Sequence, residues 1–81
     1  MKISKSSAED DGFGNTLHKY FTLLFQAWIL ETTDNTYFIS IFDIDTSEAY
    51  YTEEIELNSF NMAYITMYDN LWRLQQEKLP F

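Results

Sequence analysis

The chain is 81 residues long and carries thirteen acidic residues against five Lys and Arg, a formal net charge of −8. A chain this short supports one domain and buries only about 60% of the surface it exposes when unfolded, so its stability rests on dense packing. It has no cysteine, which excludes disulfides and thiolate metal sites; seven Phe, six Tyr and two Trp supply the core material instead.

Residues 1–15, "MKISKSSAEDDGFGN", are polar and hold both glycines. They lack the apolar stretch of a signal peptide and read as a flexible N-terminal arm, ahead of a single small domain over 16–81. The longest mostly apolar run, "YFTLLFQAWIL" at 20–30, is shorter than the roughly 20 residues that cross a bilayer. No membrane contact and a cytoplasmic location are the expectation.

Residues 18–32 fit two periods. Leu17, Phe21, Leu24, Phe25 and Trp28 fall at helical spacing. With period 2, Phe21, Leu23, Phe25, Ala27 and Ile29 share one face, and Tyr20, Thr22, Leu24, Gln26, Trp28 and Leu30 the other. The polar turn "ETTDNT" and the β-branched, aromatic "YFISIFDI" that follows decide for a strand and a hairpin. A helix over 17–30, giving α-β-β-α, is the alternative. A second strand is expected at 36–44 and a third at about 50–57, with "DTSEA" as the turn between them.

Asn58 or Ser59 is a natural N-cap for a final helix. Its apolar stripe is Phe60, Ala63, Tyr64, Met67, Leu71 and Leu74. Pro80 ends it, and Lys78 lies near its negative C-terminus. The expected fold is α+β: a three-stranded antiparallel β-meander followed by one C-terminal α-helix packed on one sheet face (β-β-β-α). One helix cannot cover two faces of a sheet. Yet Phe38 and Phe42 lie on one face and Tyr37, Ile39 and Ile41 on the other, while Ile65, Tyr68 and Trp72 form a second apolar stripe on the helix. Exposed apolar patches of that extent mark interfaces, so Ile65, Tyr68 and Trp72 are candidate partner or dimer contacts.

The acidic stretch "FDIDTSEAYYTEEIEL" at 42–57 invites a metal reading, since Asp43, Asp45, Ser47 and Glu54 fall at positions 1, 3, 5 and 12 of a calcium loop. Glu48 stands where that loop needs glycine for its sharp turn, and strands flank it instead of helices, so no metal or other cofactor is expected. His18, the single histidine, reads as a surface or sheet-edge residue. No nucleophile motif or phosphate-binding glycine loop occurs, and no catalytic role is expected.

Charge distribution is more informative. Between Tyr20 and Trp72 there are nine acidic residues and no Lys or Arg. Such a segment repels a phosphate backbone, which excludes direct nucleic-acid binding. It attracts basic proteins and accelerates encounter with them. The expectation is a small acidic protein-binding module, of the inhibitor or immunity type carried by phages and mobile elements. It would bind a basic or nucleic-acid-handling protein through Asp43, Asp45, Glu48, Glu53, Glu54 and Glu56, with action as a DNA mimic suggested by analogy of size and charge with small acidic inhibitors. The alternative is a homodimeric structural or assembly subunit that uses the apolar second stripe, with its acidity serving solubility.

Overall fold

Alternation in the middle of the chain sets the sheet. In β3 (Phe25–Glu31) and β4 (Thr36–Asp43), Phe25, Ala27, Ile29, Tyr37, Ile39 and Ile41 are buried while the residues between them are half-buried. The computed structural model describes residues 1–56 and 59–78. It places β1 (Ser4–Asp10), β2 (Thr16–Phe21), β3, β4 and β5 (Ala49–Glu56) in one antiparallel sheet, with spatial order equal to chain order. Helix α1 (Phe60–Lys78) packs on β3 and β4.

The class is α+β with one helix on one sheet face, as expected, but the meander has five strands rather than three. Two features account for the difference. The expected strand over 18–32, with its helical alternative, is two strands joined at Thr22–Leu24. There Thr22 Oγ1 accepts the backbone N–H groups of Leu24 (3.3 Å) and Phe25 (3.1 Å), and the Thr22 N–H donates to the Phe25 carbonyl (2.8 Å). A threonine hydroxyl thus closes the turn without glycine, proline or asparagine. The expected flexible arm contributes β1, which pairs along β2 from Ser4↔Phe21 to Asp10↔Thr16 with a bulge between Lys5 and Ser7.

The β1–β2 turn explains both glycines. Asp11 Oδ1 accepts the N–H groups of Phe13 (2.7 Å) and Asn15 (3.2 Å), and Oδ2 accepts from Asn15 Nδ2 (2.8 Å). These bonds, chiefly that from Phe13, hold the Asp11 carboxyl below its ordinary pKa. Gly12 (φ 84°) and Gly14 (φ 90°) take left-handed backbone, and a Cβ at Gly14 would stand 2.7 Å from Thr33 Cγ2. Gly14→Ala is expected to cost about 1–3 kcal/mol. Gly12→Ala, with nothing within 4 Å of the new Cβ, meets only the backbone penalty. Urea titration of both variants checks the order.

The helix is built as its stripe implies. Ser59 caps it, accepting the Met62 N–H at 3.4 Å, while Asn58 lies outside the described residues. Ala63, Met67 and Leu71 are fully buried against the sheet, with Phe60, Tyr64 and Leu74 packed beside them. Tyr20 meets Tyr64 edge-on at 5.4 Å. Burial pushes the Tyr20 and Tyr37 hydroxyls above their ordinary pKa, with Tyr64 and Glu31 respectively adding to it.

Candidate functional site

The strand register divides the acidic residues between surfaces. Glu54 stands opposite Phe38 and Glu56 opposite Thr36, so both project from the sheet face away from the helix. Glu53 stands opposite Ile39, on the helix side. All three are exposed on β5, which has a free edge, and Asp45 and Glu48 are exposed in the turn before it. None of these five makes an ion pair with a described residue; the pairs formed are His18–Glu31 (3.3 Å) and Lys19–Glu9 (3.0 Å). Glu54 and Glu56 are therefore two carboxylates without an ionic partner among the described residues, spaced by roughly 6.6–6.8 Å along the strand.

Asp43 has a different place from its neighbours. It is 8% exposed. Its Oδ1 accepts the N–H groups of Asp45 (2.9 Å) and Thr46 (3.0 Å), and Tyr50 Oη donates to Oδ2 at 3.4 Å. It builds the β4–β5 turn and is not part of the outer acidic surface. The same bonds explain why an acidic stretch with metal-like spacing is a turn: Asp43 is engaged by backbone donors, and Ser47 takes the left-handed φ of 62° that the bend requires.

His18 also departs from the surface position expected of it. β1 pairs along β2, so His18 is not on a sheet edge, and its side chain, on the helix side of the sheet, is only 13% exposed. Its ring centroid is 4.4 Å from that of Phe60, and Tyr37 Oη donates to the second oxygen of the same Glu31 at 3.3 Å. His18, Glu31 and Tyr37 thus form a bonded cluster beside Phe60, where the start of the helix meets the sheet. An open groove of about 600 Å³ at one end of the sheet is lined by residues including Lys2, Phe21, Leu23 and Ile44. Its remaining described lining is Ser4, Thr22 and Gln75.

Two apolar surfaces complete the inventory. On the outer side of α1, Met62, Ile65, Tyr68 and Trp72 are 49, 51, 39 and 49% exposed. On the sheet face opposite the helix, the register aligns Leu17, Leu30 and Phe38 in one row across three strands, with Trp28 in the next row and Phe42 beyond it. Trp28 meets the edge of Phe42 at 5.0 Å, and Lys19 Nζ lies 5.2 Å from its ring centroid. The helix packs on the other side; the residues of this face are half-buried, and the Trp28 Nε1 is shielded from solvent with no hydrogen-bond partner among the described residues. Phe38 and Phe42 were legible there from alternation; Leu17, Trp28 and Leu30 join them only once the turn at Thr22 sets the pairing.

No protein-family model matches the chain, and comparison with curated proteins and with solved structures returns no significant match. Among the described residues no helix is long and apolar enough to cross a membrane.

Proposed function

We propose that the chain is a small, non-catalytic, acidic binding module of the inhibitor or immunity type, whose partner is a basic or nucleic-acid-handling protein. The observation that carries this reading is the exposed carboxylate set Asp45, Glu48, Glu53, Glu54 and Glu56 on β5 and the turn before it, none of which makes an ion pair with a described residue. Charge also blunts open strand edges against aggregation, but Asp45 and Glu48 lie in the turn before the edge strand. A field with no cation from Tyr20 to Trp72 acts over a longer range and steers a basic partner toward the edge. In a cell such a surface would occupy a site that otherwise takes phosphates. Capture of partners at low and at high salt tests the proposal. A basic protein should be retained at low salt and released as ionic strength rises; a complex indifferent to salt would count against it.

A second reading, a homodimer through the helix, is favoured by the exposure of Ile65, Tyr68 and Trp72. Trp72→Ala should remain folded, with stability changed by no more than about 1 kcal/mol, because half of the side chain is already in water. If the helix stripe is an interface, the same variant loses its dimer in sedimentation. An unfolded variant would return these residues to the core.

A further inference from the structure

We propose that the sheet face opposite α1 is the docking site for one amphipathic, basic α-helix of the partner, seated with its apolar side on Leu30, Phe38 and Phe42 around Trp28. The inference rests on the basic-partner reading and adds the shape of what binds.

Width comes first. The apolar residues of this face belong to β2, β3 and β4, and two interstrand spacings span roughly 10 Å. That matches the diameter of one α-helix, about 10–12 Å with side chains. A second sheet would need the outer strands to be apolar as well, and they are not. On this face β5 presents Glu54 and Glu56, and β1 presents Glu9 opposite Leu17.

Charge then selects the occupant. The cation on this face, Lys19, is already held by Glu9 at 3.0 Å. A helix with an apolar stripe and Lys or Arg on the side toward β5 satisfies the track and the Glu54–Glu56 border at once, while Glu9 remains with Lys19. A second copy of the chain does not. Stacking two such faces brings together chains that each carry −8 and leaves the Glu54 and Glu56 carboxylates of both without a cation to meet, since Lys19 is held by Glu9.

The test uses the full chain with Trp72→Phe, which leaves Trp28 as the sole indole. The probe is a synthetic 18-residue peptide of Leu and Lys patterned as an amphipathic helix. The controls are a peptide of the same composition in scrambled order and a Leu/Glu counterpart. A saturable change in Trp28 emission is expected with the Leu/Lys helix, at least tenfold weaker binding with the scrambled peptide, and none with Leu/Glu.

Ser40→Arg sets a bulky cation on the cross-strand neighbour of Trp28 without removing a core side chain, and should weaken binding at least tenfold. Phe38→Ser, with its fold checked by circular dichroism, should do the same. Failure of the Leu/Lys helix to bind, or binding equal to that of the scrambled peptide, overturns the proposal. Binding that is lost in Glu54→Lys/Glu56→Lys but unchanged in Ser40→Arg overturns the docking face and leaves the acidic surface standing. Binding indifferent to salt and to the charge reversal overturns the basic-partner reading itself. Self-association abolished by Ser40→Arg would assign the face to a second copy.

Discussion

Leu71→Ala is expected to destabilise the domain by about 2–5 kcal/mol, a large fraction of its total stability. Leu71 is completely buried in a core with Phe25, Ile29, Ile39, Ile41 and Met67. Truncation loses the transfer free energy of the side chain and leaves a cavity that a rigid sheet cannot close. Domains hold roughly 0.05–0.15 kcal/mol per residue, or about 4–12 kcal/mol for a chain of this length, so the margin is small. Urea titration followed by circular dichroism reads the effect. A midpoint close to that of the parent would mean that the helix is not seated as described. The adjacent Trp72 provides an internal control, because it points outward from the same turn of helix.

Charge reversal at the β5 edge should have the largest effect on binding. Glu54→Lys with Glu56→Lys adds two charges at each position and moves the net charge from −8 to −4. Association with a basic partner is expected to slow by at least about tenfold at low salt, and its dependence on ionic strength should flatten. Both side chains are exposed on the uncovered face, so the fold should be unaffected. Stopped-flow kinetics across a salt series with the captured partner decides the matter. Unchanged rates would remove the carboxylate row from the binding surface.

Legibility in the sequence followed the range of the forces involved. The helix could be read because its cap, its apolar stripe and its outer stripe are all local, and Ser59, Met67 and Leu71 do what their spacing implies. β4 and β5 were similarly clear, being alternating strands bounded by polar turns. The split between β2 and β3 was not clear, because the turn depends on one hydroxyl in an apolar run that carries none of the usual turn residues. β1 was hidden for another reason. Its residues are mostly exposed, so it has little hydrophobic pattern to betray it, and its strand state depends on backbone bonds to β2. Asp43 shows the same limit at the site: its composition placed it with the surface acids, while its hydrogen bonds make it a turn residue.

The agreement of spatial and chain order also has a consequence for the chain as it is made. Each strand finds its neighbour in the segment synthesised just before it, so the sheet can assemble progressively as it leaves the ribosome. The helix that shields one side arrives after all five strands. From Glu56 to Lys78 there are 22 further residues, about 1–4 s at ordinary rates of translation. Until the helix docks, the nascent sheet is bare on both sides, and in that interval a chaperone, or the binding partner itself, would matter most.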